Sequence, residues 1–156
     1  MTVAFVPDDF EPPLKLVAPP FVLEPLGPQH NERDHVAWMS SIAHIRATPG
    51  FTEPDPADPW PRTMTLAGNL QDLEAHAADF AARRAFTYSA LDPVDDDVIG
   101  CLYLDPSTDG VHDVRASSWV RASRSDLDVA LWEVVSDWLA TAWPFTNPDY
   151  DARSPS

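Results

Sequence analysis

Two imidazoles and two carboxylates fall within the short stretch His30-Asn31-Glu32-Arg33-Asp34-His35. A metal centre on a helix needs histidines one turn apart, whereas His30 is expected to precede the helix that contains His35, so the segment reads as a solvated helix start and no metal is expected. His44, His76 and His112 stand alone, which suits surface or packing roles. Cys101 lies in the apolar run Val98-Ile99-Gly100-Cys101-Leu102-Tyr103-Leu104, where a small buried hydrophobe is the expected role ahead of a nucleophile. As the single cysteine it has no disulfide partner within the chain. No Ser/His/Asp order, glycine-rich phosphate loop or paired carboxylates stand out, and the aspartates from Asp92 to Asp97 read as a solvated turn.

The background for any chemistry is acidic. Ten Lys and Arg against 25 Asp and Glu leave a net charge of −15, with no basic cluster. Nucleic acid and anionic membrane surfaces are therefore excluded as expected partners. The N-terminus has neither a basic region nor a long apolar stretch, so cytoplasmic residence is the expectation. With 156 residues, 44% of them hydrophobic, the chain can bury a core without a disulfide or metal staple.

The elements that must position these residues follow from periodicity. Residues 1–20 carry Pro7, Pro12, Pro13, Pro19 and Pro20 and are expected to form an extended arm without regular structure. A single domain is expected over 21–146 and a loose tail over 147–156. Phe21 to Leu26 predicts a short strand with Pro25 at an edge or strand end. Val36, Met39, Ile42, Ala43 and Ile45 predict a helix from Asn31 that Pro49-Gly50 stops. Phe51 to Pro61 predicts an irregular loop, a possible lid anchored by Trp60. Thr65 is a good N-cap for a second helix with the stripe Leu66, Leu70, Leu73, Ala77 and Phe80. Three antiparallel strands are expected at 86–91, 98–104 and roughly 111–121. Ser125-Asp126-Leu127-Asp128 resembles a capping-box start for a third helix reaching about Ala142.

This order resembles the first half of the GNAT acyltransferase fold. Phe21 to Leu26 is similar to its opening strand, Val98 to Leu104 to its third, and Ser118-Trp119-Val120-Arg121 to the end of its fourth. The resemblance implies an α/β (α+β) fold with a mixed, largely antiparallel sheet of about four strands and three main helices, lacking the usual C-terminal strands. It also implies an acetyl-CoA site at Trp119, Val120, Arg121, Arg124 and Ser125. In the family a glycine-rich loop there presents backbone N–H groups to a pyrophosphate. This chain has no glycine from Val120 to Val129, and it places Asp126 and Asp128 at the helix start, where they are expected to cap the helix.

The implied activity is acyl-CoA-dependent N-acetylation of a small amine. Two alternatives are a non-catalytic binding or assembly protein that has lost CoA, and a cofactor-independent activity on the same scaffold. Polar candidates for acyl transfer are Tyr88, Tyr103, His112 and Ser118; packing roles are expected for both tyrosines. Because no fifth strand is expected before it, Tyr150 is not assigned a general-acid role. An unpaired fourth strand and the Trp132/Leu139/Trp143 face predict a homodimer.

Overall fold

The computed structural model describes residues 4–153. Its strands are β1 (Leu16–Ala18), β2 (Phe21–Pro25), β3 (Phe86–Leu91), β4 (Val98–Asp105), β5 (Val114–Val120) and β6 (Pro148–Tyr150). Its helices are α1 (Asn31–Met39), α2 (Ile42–Arg46), α3 (Leu66–Ala81) and α4 (Asp128–Ala142). The strands form one sheet in the order β1-β2-β3-β4-β5-β6, antiparallel throughout except that β5 and β6 run parallel.

Both faces of the sheet are covered, which is why β3 is buried at every position. One face packs Phe86, Tyr88, Leu102 and Leu104 against Leu131, Val135, Trp138 and Leu139 of α4. The other packs Cys101 and Trp119 against Ala37 and Trp38 of α1 and Leu73 of α3. Between these faces β4 carries a bulge: Ala90 pairs with Gly100 but Leu91 with Val98, so Ile99 is the extra residue. Gly100 lets the β5 backbone approach, because a Cβ there would overlap the Trp119 carbonyl oxygen.

The sheet has six strands where about four were expected, and the two additions lie in segments read as irregular. Leu16–Ala18 pairs with β2, Leu16 opposite Leu23, after a tight reversal at Pro19-Pro20. A three-residue edge strand flanked by prolines carries too little alternation to register as one. At the other end Pro148–Tyr150 joins β5 in parallel, so the tail is ordered through Tyr150. Asp113 anchors it: its carboxylate accepts from the backbone N–H groups of Thr146 and Asn147, at 2.7 and 3.1 Å.

The same strand removes the grounds for the expected homodimer. The free edge of β5 is covered by β6, and Leu139 and Trp143 are buried within the chain. Trp143 packs against Phe10, Phe86, Trp138 and Phe145. The helix expected from Asn31 is divided at Ser40-Ser41, where Ser40 donates to the Ala37 carbonyl and Ser41 accepts from the Ala122 N–H. The predicted capping box does not form. Residues 122–127 make a 3-10 turn, and α4 begins at Asp128 with no side-chain cap.

Candidate functional site

A cavity of about 420 Å³ opens between α1, α3, the 51–62 loop and the sheet. Trp38, Phe51, Trp60 and Tyr103 form its aromatic walls, and Asp34, Asp58, Asp72, Asp79 and Asp105 its acidic ones. Among the described residues no Lys or Arg lines it, although Arg62 pairs with Asp58 at 3.6 Å. Trp60 anchors the loop as expected: its ring lies 5.6 Å from Trp38 and 6.2 Å from both Tyr103 and Trp119. Arg46 holds the adjoining turn by donating to the Pro61 carbonyl at 3.0 Å.

Asp34 lines this space and is only 4% exposed. Helical phase explains its position. In α1, Asp34 shares a face with Trp38, four residues on, and that face packs on α3. Asn69 of α3 completes the contact, donating to Asp34 at 3.1 Å and to Asn31 at 2.9 Å while accepting from the Trp38 indole at 3.1 Å. No cationic side chain forms an ion pair with Asp34 among the described residues. Burial pushes its pKa up to about 6, the Asn69 hydrogen bond offsetting only part of the desolvation.

The expectation of a solvated start for α1 is therefore wrong. His30 is fully buried: its Nδ1 accepts from the Gly27 N–H and its Nε2 donates to Glu24, at 3.1 Å each. Burial lowers its pKa, so it is a neutral structural imidazole. His35 donates from Nε2 to the Met64 carbonyl at 2.7 Å. On α3 the residues Asp72, His76 and Asp79 follow one another along the cavity wall. His76 hydrogen-bonds Thr87 at 3.2 Å, and burial lowers its pKa as well.

The residues singled out by sequence divide between three places. Tyr88 belongs to the core: it is buried, its hydroxyl donates to the Pro13 carbonyl at 2.6 Å, and burial pushes its pKa up strongly. Tyr103 lines the cavity, its hydroxyl accepting from the Trp119 indole at 3.0 Å. His112 is not on the cavity; it hydrogen-bonds Asp109 in the β4–β5 loop. Asp109, His112 and Asp149 bring three ligand-type atoms within 4.8 Å of one another there, with Arg115 also 3.3 Å from Asp149.

The third place is the end of β5. Ser118, Trp119 and Val120 are buried on the strand, Arg121 follows in extended conformation, and Arg124 and Ser125 lie on the 3-10 turn. Ser118 and Tyr150 share a 2.5 Å hydrogen bond between their hydroxyls, linking β5 to β6. Beyond it the buried Arg153 ties the segment after β6 to β5 and to α4. Its guanidinium donates to Asp128 at 2.8 Å, to the Ser118 carbonyl at 2.9 Å and to the Asp151 carbonyl at 2.7 Å. Asp128 is thus Arg153's partner and not a helix cap. Arg121 pairs with Asp97 at 3.0 Å and Arg124 with Asp92 at 3.1 Å, so the aspartates of the β3–β4 turn hold both arginines.

Asp34, Asn69, Asp105, Arg153 and the polar α3 stripe of Asp72, His76 and Asp79 were not among the residues expected at a site. Only the stripe left a signal: Asp72, His76 and Asp79 recur at helical spacing beside the apolar face.

No family model matches the sequence, and no curated protein matches it. Solved structures match in fold. A ribosomal-protein-S5-alanine acetyltransferase from Vibrio fischeri superimposes with a TM-score of 0.63 at 14% identity, covering 83% of this chain and 69% of that one. A ribosomal L7/L12 alpha-N-protein acetyltransferase in complex with coenzyme A gives 0.59 at 11%, covering 79% and 66%. A microcin C7 self-immunity acetyltransferase in complex with acetyl-CoA and AMP gives 0.56 at 11%, covering 81% and 67%. The chain has the fold of the GNAT acetyltransferases. Among the described residues no helix is long and apolar enough to cross a membrane.

Proposed function

We propose that this protein binds a small cationic amine over Asp34, and that it does so without acetyl-CoA. One observation carries the amine: a nearly inaccessible carboxylate faces an aromatic cavity with only neutral hydrogen-bond partners. A buried anion is stable only when paired, and an ammonium group supplies the missing charge. The partly buried indole of Trp60, on the wall of the same cavity, adds cation–π attraction.

The contacts around the head of α4 support the cofactor-free part. The Ala122 N–H, in the loop where a pyrophosphate is expected, is already donated to Ser41 at 2.8 Å. Arg121 and Arg124 are held by carboxylates. In the first turn of α4 Asp128 holds the Arg153 guanidinium, so that cation too is already taken. Arg153 bonds the Ser118 carbonyl at the end of β5 and Asp128 at the head of α4. These residues do not fit a pyrophosphate at the head of α4.

A second reading, acyl-CoA-dependent N-acetylation of the amine, is favoured by the fold and by the Ser118–Tyr150 hydroxyl pair between two parallel strands. Calorimetric titration separates the two. Heat with small primary amines and none with acetyl-CoA supports the proposal; micromolar acetyl-CoA binding, or amine-dependent release of free CoA thiol, establishes the acetyltransferase instead. Absence of amine binding at neutral pH refutes both for this cavity.

A further inference from the structure

A second group of ligand-type side chains lies outside the cavity, where the β4–β5 loop meets β6. Asp109, His112 and Asp149 each bring one carboxylate oxygen or ring nitrogen to within 4.8 Å of the others. They come from separate segments, and the backbone brings those segments together. Asp113 fixes the approach, its carboxylate accepting from the Thr146 and Asn147 N–H groups, and the β5–β6 register sets Asp149 opposite Arg115. Asp109 is oriented locally. Its Oδ1 accepts from the N–H groups of Val111 and His112, at 2.8 Å each, and from the Ser107 hydroxyl at 2.9 Å, which leaves Oδ2 for the His112 Nδ1. A His–Asp hydrogen bond has no use for Asp149. A third ligand atom, delivered by another strand, is what a cation requires.

We propose that Asp109, His112 and Asp149 bind a divalent cation of the zinc class, which clips β6 to the β4–β5 loop. An imidazole nitrogen with two carboxylates is a donor set for zinc, whereas magnesium and calcium take oxygen ligands. Zinc bonds of about 2.0–2.1 Å put tetrahedral ligand atoms about 3.4 Å apart. The side chains of Asp109, His112 and Asp149 are 41%, 30% and 36% exposed and free to close to that distance by rotation. Charge agrees with this assignment. Arg115 bonds Asp151 at 2.9 Å and lies 3.3 Å from Asp149, so Asp109, Asp149 and Asp151 share one guanidinium and leave two negative charges beside the imidazole. Zinc takes the Nδ1 lone pair of His112, and any proton that Nδ1 shares with Asp109 leaves to solvent.

Calorimetry with zinc chloride on the untagged full chain tests the site, with magnesium chloride as the oxygen-preferring control. One equivalent of zinc should bind saturably and magnesium at equal concentration should not displace it. His112→Asn and Asp149→Asn should each weaken zinc at least about tenfold, since even the loss of a group behind a metal ligand costs about 10–100-fold. Glu133→Gln, the same change of charge at an exposed position of α4, should leave zinc affinity unchanged and so separates the site from general attraction to an acidic chain. Zinc at about a hundred times its Kd should raise the melting temperature of the unaltered protein by about 5–10 °C and that of His112→Asn by much less. Circular dichroism checks that each variant folds. Absence of saturable zinc binding overturns the proposal, and so does a His112→Asn variant that binds zinc as tightly as the unaltered protein or a zinc site that magnesium fills equally well.

Discussion

Replacing Asp34 by asparagine should stabilise the protein while abolishing its proposed binding. The folded-state pKa of about 6 against an ordinary 3.8 means that ionising Asp34 costs the native state on the order of 3 kcal/mol at neutral pH. The raised value fixes the sign. Protonated Asp34 leaves folding unpenalised below about pH 4, and stability is then lost as pH rises through about 6. Asn69, the Trp38 indole, His35 and Asp72 face the group; the hydrogen bonds and His35 favour the carboxylate, while Asp72 opposes it. Asparagine keeps an oxygen to accept the Asn69 bond and removes the desolvated charge. Urea unfolding followed by tryptophan fluorescence should therefore place Asp34→Asn about 1–3 kcal/mol above the unaltered protein at about pH 8, and level with it or below near pH 4. Amine affinity should disappear in the variant, and in the unaltered protein it should weaken as pH falls below about 6. An asparagine variant less stable at alkaline pH, or a stability difference that does not move with pH, refutes the view that Asp34 is an unpaired buried anion.

Two further perturbations test the closed strand end. Arg153→Ala removes three hydrogen bonds and leaves Asp128 without the partner of Oδ2, its Oδ1 already having none. The expected loss is about 3 kcal/mol, seen as a melting temperature lower by about 6–12 °C for a chain of this size. The double variant Arg153→Ala/Asp128→Ala should recover at least about 1 kcal/mol of that sum; strict additivity would mean that the pair does not interact. Gly100→Ala places a Cβ against the Trp119 carbonyl and should cost about 3 kcal/mol or more by urea unfolding. A cost under about 1 kcal/mol would show that β4 and β5 can separate there.

The main fold was legible because its long elements repeat a period. Thr65 caps α3 through Gly68 as its position suggested, and β3 and β4 begin at the residues expected. The short elements were not, for a reason of energy and not of sequence noise. Three residues such as Leu16–Ala18 or Pro148–Tyr150 gain strand structure from the partner already in place, and their own alternation contributes almost nothing. The split of the first helix belongs to the same class. Ser40 and Ser41 look ordinary until Ala122, 81 residues away, provides the N–H that Ser41 accepts.

The site was less legible because its meaning lies in what each acid lacks. Asp34, Asp92, Asp97 and Asp128 are the same residue type in an acidic chain, and sequence alone gives no reason to separate them. Three have an arginine in the fold: Asp92 takes Arg124, Asp97 takes Arg121 and Asp128 takes Arg153. The arginines expected to meet a cofactor's phosphates are thus consumed by structural aspartates, whereas Asp34, taken for part of a solvated helix start, is the one left buried without a cation. With only ten basic residues against 25 acidic ones, not every carboxylate can find a partner. Exposed carboxylates tolerate this in water. A carboxylate that helical phase carries into an aromatic cavity does not: it holds its proton to higher pH, and in the proposed function a cationic amine supplies the charge instead.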